Sequence, residues 1–118
     1  MDFLVVDDEE EILETFEFFI EIAGHESKVF TSPLDALKYE GRFDVIITDH
    51  NMAGIKGFEF LTRCKLKWPD TIRVLISGDK DLLDETEKGD VVHKLYSKPF
   101  EIEKLLTEIV SISQMKAV

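Results

Sequence analysis

Five side chains that could do chemistry stand directly after short apolar runs of this sequence: Asp7, Asp8, Asp49, Ser77 and Lys98. Three carboxylates held close together repel one another, and a bound cation relieves that repulsion. Oxygen ligands favour a hard cation such as Mg²⁺, which proteins bind through one or two carboxylates together with water and phosphate oxygens. A free carboxylate oxygen can attack phosphorus, and an ammonium and a hydroxyl suit the remaining oxygens of a phosphoryl group. The residue types therefore predict Mg²⁺-assisted phosphoryl transfer onto an aspartate.

The elements that must position these side chains alternate between strand and helix. Apolar or β-branched runs predict strands at residues 3–6, 27–30, 43–48, 71–76 and 91–96. Helical spacing of apolar residues, with caps and breakers, predicts helices at residues 9–23, 33–39, 58–66, 81–88 and 100–113. This alternation predicts an α/β fold with a parallel sheet covered on both faces. Because ligands of such sheets bind at the carboxyl ends of the strands, we expect the five side chains to converge there.

Length and charge limit the classes of function. The chain has 118 residues, which suits a single domain spanning 1–118. Its net charge of −11 argues against binding to nucleic acid or to an anionic membrane surface. No basic region precedes an apolar stretch at the start, so a secretion signal is not expected. The lone Cys64 excludes an internal disulfide and fits a reducing cytoplasm.

Four segments together resemble the receiver domain of bacterial two-component response regulators. They are VVDDE at 5–9, ITDHNM at 47–52, VLISG at 74–78 and SKPF at 97–100. The resemblance implies a flavodoxin-like (βα)5 fold with strand order 2-1-3-4-5 and helices on both faces. It also implies a phosphoacceptor function rather than that of a turnover enzyme, with phosphorylation shifting a conformational equilibrium. The implied partners are a histidine kinase or histidine phosphotransfer protein, and a downstream effector or fused output domain.

The same resemblance assigns a role to each acidic site residue. Asp49 would be the phosphoacceptor, and Asp8 and Asp49 would bind Mg²⁺ directly. Asp7 would act on the ion through a water molecule. Asn51 would offer its backbone carbonyl as a further ligand.

The remaining site residues would contact the phosphoryl group from the other side. By the resemblance, Ser77 would hydrogen-bond the phosphoryl group and Lys98 would pair with another of its oxygens. The Lys98–Pro99 peptide is expected to be cis, an isomer that proline makes accessible.

Strand five departs from the family pattern. Receivers usually carry Tyr or Phe three residues before the site lysine, which is Lys98 here. This chain has Leu95 at that position, and its aromatic residue is the next one, Tyr96. Because adjacent strand residues face opposite sides of a sheet, Tyr96 does not simply substitute. An alternative is therefore a pseudo-receiver, a protein-interaction module that no longer switches. A third hypothesis is a hydrolase that forms an aspartyl-phosphate intermediate. It is disfavoured because such enzymes carry a general acid two residues after the nucleophilic aspartate, where this chain has Asn51.

Helix one offers a candidate docking surface. Helical spacing places Ile12, Phe16, Phe19 and Ile20 toward the core. Leu13 and Phe18 fall off that stripe, and we expect them to dock a kinase or phosphotransfer helix, with partial burial as the alternative.

Two positions are expected to set the lifetime of the phosphoryl group, Asn51 and Asp79. In relatives, the residues two after the acceptor and two after the hydroxyl flank the attacking water. Small or carboxylate side chains there leave that water room, so we expect rapid autodephosphorylation. An Asp79→Ala variant should lose its phosphoryl group more slowly in a chase of labelled protein, and an unchanged rate would contradict this role.

Overall fold

Five parallel strands form one sheet in the order β2-β1-β3-β4-β5 within residues 1–78 and 89–116, the part of the chain that the computed structural model describes. The strands are β1 (Asp2–Val6), β2 (Glu26–Phe30), β3 (Val45–Asp49), β4 (Ile72–Ser77) and β5 (Lys94–Ser97). The helices in this part of the chain are α1 (Glu10–Ile22), α2 (Pro33–Leu37), α3 (Gly57–Lys67) and α4 (Ile102–Lys116). The predicted α/β fold and its strand order are confirmed. The predicted helix at 81–88 and Asp79 lie outside the described residues.

Two apolar clusters, one on each face of the sheet, hold the helices in place. Alternate residues of the same strand enter different clusters, because successive side chains of a strand point to opposite faces. The cluster toward α1 and α4 contains Phe3, Val5, Phe16, Ile20 and Ile109. The cluster toward α2 and α3 contains Leu4, Val6, Ala36, Phe60 and Leu61. Burial on both faces explains why the central strands read as unbroken apolar runs.

Strand β5 begins later than its apolar sequence predicts. The chain before it is held by the buried Arg73, whose Nε donates to the Val91 carbonyl at 2.7 Å and whose NH2 group donates to the Asp90 carbonyl at 3.2 Å. The backbone N–H of His93 then donates to the Arg73 carbonyl at 2.9 Å. The guanidinium thus binds the Val91 carbonyl, which a strand beginning at residue 91 would offer to the sheet, and the β4–β5 ladder starts with Val74 opposite Lys94.

The expectation that Leu13 is exposed for docking is wrong. Leu13 is 4% exposed and lies in the same cluster as Phe16 and Ile20, whereas Ile12 and Phe19 are only partly buried at its edge. A stripe through residues 13, 16 and 20 fits the helical period as well as the predicted stripe through residues 12, 16, 19 and 20 does. Contact of α1 with the sheet decides which of the two stripes is buried. Phe18 is 59% exposed, as expected.

Within the described residues, no helix combines the length and the apolar character needed to span a membrane.

The corrected position of Leu13 predicts a large loss of stability on truncation. Leu13→Ala removes buried methyl groups and leaves a cavity, so the free energy of unfolding should fall by about 2–4 kcal/mol. Phe18→Ala, on the exposed side of the same helix, should change it by less than about 1 kcal/mol. Urea unfolding of both variants measures the difference, and equal losses would place Leu13 outside the core.

Candidate functional site

Three carboxylates meet where the central strands end. Asp7 and Asp8 follow β1, Asp49 ends β3, and these two strands are parallel neighbours. One carboxylate oxygen from each of the three lies within 4.8 Å of the others. Asp7 and Asp49 are buried at 5% and 4% exposure, while Asp8 is exposed. The sequence-predicted acidic cluster is therefore assembled, with two members inside the protein and one facing solvent.

The environment of Asp7 opposes its negative charge. Burial raises the pKa of Asp7 to about 6, and the charge of Asp49 contributes in the same direction. The backbone N–H of Glu9 donates to Asp7 Oδ1 at 2.9 Å, which stabilises the carboxylate but only partly offsets its burial. A cation placed among the three carboxylates would favour the ionised form of Asp7.

Asp49 has one oxygen available for a further ligand. Lys98 Nζ lies 3.1 Å from Asp49 Oδ1, but this approach lacks the alignment of a hydrogen bond. Oδ1 of Asp49 is buried and has no hydrogen-bond partner among the described residues. A buried, under-coordinated carboxylate oxygen beside two further carboxylates fits the oxygen preference of Mg²⁺.

The two residues expected to contact a phosphoryl group are joined through their backbones. Ser77 ends β4 and is 2% exposed, and its carbonyl accepts a hydrogen bond from the Lys98 N–H at 3.0 Å. The expected cis peptide between Lys98 and Pro99 is present. Asn51 lies exposed in the bend after β3. The fold thus brings the acidic cluster, Ser77 and Lys98 to one edge of the sheet.

His50 and Gly57 connect the Asp49 backbone to α3, a contact that the sequence reading missed. The His50 carbonyl accepts from the Gly57 N–H at 3.0 Å, and His50 Nδ1 accepts from the Phe58 N–H at 3.3 Å. Burial lowers the pKa of His50, which favours the neutral ring that this acceptor role needs. A Cβ on Gly57 would lie 2.3 Å from the Asp49 carbonyl oxygen, so glycine permits the close approach. The sequence signal for this close approach was Gly57, which stands where the helix is predicted to begin.

Leu95 and Tyr96 face opposite sides of the sheet, as the strand period predicts. Leu95 packs on the side of α2 and α3, whereas Tyr96 packs on the side of α1 and α4. The Tyr96 hydroxyl donates to Glu108 Oε2 at 2.7 Å, and burial together with this carboxylate raises the pKa of Tyr96. Lys94 Nζ lies 3.7 Å from the same Glu108 oxygen. Tyr96 is thereby held on the face away from Leu95.

Comparisons with family models and with curated proteins agree on one family. The family model described as "Response regulator receiver domain" matches residues 3–110. The chain is 31% identical over 110 residues to the uncharacterized transcriptional regulatory protein YkoG of Bacillus subtilis, covering 90% of this chain and 48% of that protein. It is 33% identical over 114 residues to the transcriptional regulatory protein FlgR of Helicobacter pylori, covering 92% and 29%. The chain thus spans less than half the length of these curated relatives.

Solved structures show the same fold. A CheY-like response regulator receiver domain protein from Methanospirillum hungatei superposes with a TM-score of 0.87 at 20% identity, covering 98% of this chain and 95% of that one. The response regulator TrrA of Thermotoga maritima, solved in complex with Mg²⁺ and beryllofluoride, superposes with a TM-score of 0.82 at 25% identity, covering 94% and 97%.

The burial of Asp7 among carboxylates predicts that a neutral substitution stabilises the protein when no Mg²⁺ is present. At neutral pH the ionised Asp7 weakens the fold, because its pKa is higher in the folded than in the unfolded chain. Asp7→Asn keeps an oxygen to accept from Glu9 and removes the buried charge. Its free energy of unfolding should rise by roughly 1–3 kcal/mol in metal-free buffer.

The control for this experiment is Asp8→Asn, which removes the same charge from an exposed position and should have a smaller effect. Added Mg²⁺ should raise the melting temperature of the wild type more than that of Asp7→Asn. A metal-free Asp7→Asn protein less stable than the wild type would contradict the repulsion argument.

Proposed function

Because the chain belongs to the response regulator receiver domain family, we propose that Asp49 accepts a phosphoryl group in an Mg²⁺-dependent reaction that controls a partner or output domain. The observation that carries this proposal is the buried Asp49 carboxylate, which has one oxygen free of hydrogen bonds and lies beside an ammonium and two further carboxylates. A purely structural aspartate at a strand end would have its buried oxygens satisfied.

The proposed step is a nucleophilic displacement at phosphorus. An Asp49 carboxylate oxygen forms a bond to phosphorus while the bond from phosphorus to the donor's nitrogen or oxygen breaks, and the leaving atom keeps the electron pair. The Lys98 ammonium, already 3.1 Å from Asp49, pairs with a phosphoryl oxygen. The Ser77 hydroxyl hydrogen-bonds another phosphoryl oxygen. The donor is a histidine kinase, a histidine phosphotransfer protein or a small acyl phosphate.

The acidic residues supply the ion site. Asp8 and Asp49 would bind Mg²⁺ directly, Asp7 through a water molecule, and Asn51 through its backbone carbonyl. Bound Mg²⁺ would neutralise charge on the phosphoryl oxygens during transfer. Support comes from the closeness of the three carboxylates and from the Mg²⁺–beryllofluoride complex of the relative TrrA.

The consequence of phosphorylation is a shift of conformation that another protein surface reads. We propose that residues 1–118 form one cytoplasmic receiver domain, since the family model covers most of them. The names of YkoG and FlgR suggest that output is transcriptional in such proteins. The net charge of −11 disfavours direct contact of this domain with nucleic acid or membrane, so output would pass through an effector or a fused domain.

The switch itself should differ from that of receivers with an aromatic residue at the position of Leu95. Leu95 lies on the α3 side of the sheet, where a small movement can follow Ser77, whereas Tyr96 is held by Glu108 on the other face. This arrangement is the observation that favours the second candidate, a pseudo-receiver that binds partners without switching.

The roles of α1 in docking a phosphodonor and of Asn51 and Asp79 in dephosphorylation stay predictions. With Leu13 buried, the predicted contact of α1 with a phosphodonor depends on Phe18. Asn51 is exposed near Asp49, consistent with access of water for autodephosphorylation, and Asp79 lies outside the described residues. The domain would thus hydrolyse its own phosphoryl group in signalling and would not turn over outside substrates.

Phosphorylation can be tested with beryllofluoride, or with acetyl phosphate as donor, in the presence of Mg²⁺. We expect a mass increase of one phosphoryl group with acetyl phosphate, and changes in the amide spectrum around residues 49, 77 and 95 with beryllofluoride. Both should be lost on removal of Mg²⁺, because three carboxylates would otherwise repel the incoming group.

Asp49→Asn is the matched control, since it keeps the shape of the acceptor without its nucleophilic oxygen. Modification that survives Asp49→Asn would refute Asp49 as the acceptor. Modification of the wild type without any change in the amide spectrum beyond the site would favour the pseudo-receiver.

A further inference from the structure

Strand β2 forms one edge of the sheet and pairs with β1 along one side only. The Glu26 N–H donates to the Met1 carbonyl, on the β1 side, at 3.1 Å. Because successive backbone groups of a strand point alternately to either side, the N–H and C=O groups of Ser27 and Val29 point away from β1. Among the described residues, these outward groups have no hydrogen-bond partner. They can therefore pair with the backbone of a further strand.

A groove of about 570 Å³ lies along this edge. Three consecutive residues of β2 line it, with Ser27 in the middle. One wall of the groove comes from α1, and the opposite wall comes from Tyr39 and Arg42 in the segment between α2 and β3. Tyr39 packs against the apolar cluster toward α2 and α3, so the two walls lie on opposite faces of the sheet. An extended chain between these walls would lie with its backbone against that of β2.

The wall formed by α1 is acidic. Glu17 and Glu21 line the groove from α1, and both are exposed. His25 also lines it, and burial together with the nearby N-terminal ammonium lowers the pKa of this ring, which is therefore neutral at pH 7. Val29 packs on the α1 side, and partner residues opposite Ser27 and Val29 would point to the same face. Lysine or arginine at those positions would meet the two glutamates.

The opposite wall selects no charge. Lys28 and Arg42 are basic, whereas Asp2 and Glu26 are acidic, and all four are exposed. Partner residues between the basic positions would point to this wall, where an uncharged β-branched residue such as threonine suits a strand. The groove therefore favours a strand that is basic at alternate positions.

A second copy of this chain is a poor occupant of the groove. Antiparallel pairing of two β2 strands would place the α1 helices of both copies on one face of a continuous sheet. Glu17 and Glu21 of one copy would then lie near those of the other, and like charges across an interface are unfavourable. Charged side chains beside a sheet edge thus exclude strands of the same charge and leave the edge open to a complementary one.

The groove is separate from the phosphoacceptor site. Asp2, at the start of β1, lines the groove, whereas Asp7 follows the end of the same strand. The rise of an extended chain places these two residues about 16 Å apart. A strand added beside β2 therefore leaves the approach to Asp49 open.

From these observations we propose that β2 binds an extended segment of a partner protein, which adds a strand to the sheet and carries lysine or arginine at alternate positions. Its backbone pairs with Ser27 and Val29, and its basic side chains contact Glu17 and Glu21. Backbone pairing gives the affinity, and the two glutamates select the sequence of the segment. This interaction does not depend on phosphorylation of Asp49.

The test uses a peptide of about eight residues in which lysine alternates with threonine, the length of a typical strand. Its binding to the full chain is measured by fluorescence anisotropy, and its location by changes in amide chemical shifts. We expect shifts at residues 25–30. A peptide with glutamate in place of lysine is the charge control, and it should bind at least about tenfold more weakly.

Two N-methylated peptides test whether the contact is made through the backbone. One carries the methyl groups on its lysine nitrogens of the main chain, and the other carries them on its threonine nitrogens, so their charge is the same. Only one of these two sets of N–H groups can face β2, because alternate N–H groups of a strand point to opposite sides. We expect one peptide to lose binding and the other to bind as the unmodified peptide does. Equal binding, or equal loss of binding, would overturn strand addition.

The decisive variant of the protein is Ser27→Pro. Proline removes the outward N–H, and an edge strand tolerates it where the N–H faces solvent. We expect the variant to bind the lysine peptide about tenfold more weakly. Ser27→Ala keeps the N–H and is the matched control, which should bind as the wild type does. The N-methylated peptides need no change in the protein, so they decide the question even if Ser27→Pro does not fold.

A pair of double variants tests the role of the α1 wall. Glu17→Gln with Glu21→Gln should weaken binding of the lysine peptide about tenfold. Glu59→Gln with Glu103→Gln removes the same charge from exposed positions of α3 and α4 and should bind nearly as the wild type does. Equal loss in the two variants would reduce the contact to the net charge of the protein and overturn the proposed selection.

An assignment of the edge to a second copy of this chain would also overturn the proposal. Sedimentation that shows a dimer of the wild type but not of Ser27→Pro would give that result, whereas a monomer in both supports a different protein as the partner. None of these measurements bears on phosphorylation of Asp49, so this proposal and the proposed function fail separately.

Discussion

The ends of β1 and β3 hold three carboxylates close together, and much of the structure serves to keep them there. Asp7 and Asp49 are buried, so their charges are poorly screened by water, and burial raises the pKa of Asp7 to about 6. The Lys98 ammonium lies 3.1 Å from Asp49 and supplies an opposing charge. The carboxylates of this cluster therefore repel one another, and a cation placed among them would relieve that repulsion.

The backbone around the cluster links it to the rest of the fold. Lys98 is tied to Ser77 through a backbone hydrogen bond, and α3 is tied to the residue after Asp49 through Gly57 and His50. The edge of the sheet that holds the cluster is therefore bonded directly to neighbouring elements of the fold. On the opposite face, the bond from Tyr96 to Glu108 fixes β5 to α4. The two faces of the sheet thus differ in their bonds, because α3 is bonded to the residue after Asp49 on one face and α4 is bonded to β5 on the other.

Much of the fold and most of the site could be predicted from the sequence. Short buried strands and capped helices are local patterns, and their alternation implies a parallel sheet whose carboxyl ends share an edge. The resemblance of four short segments then assigned roles at Asp49, Ser77 and Lys98. The rotation of α1 could not be read in this way. Its apolar residues are too many for one stripe, and the spacing placed Ile12 toward the core and Leu13 off it, whereas the structure buries Leu13 and leaves Ile12 partly buried.

What the sequence by itself determined was the order of elements, the set of chemical groups and the opposite facing of Leu95 and Tyr96, because each follows from a local period or a residue type. What only the tertiary structure decided depends on groups far apart in the chain. The burial of Leu13, the bond of Tyr96 to Glu108, the clamp of Arg73 on the chain before β5 and the groove beside β2 all belong to this class. Each is a contact between separate elements, and its energy depends on packing distances that no local pattern contains.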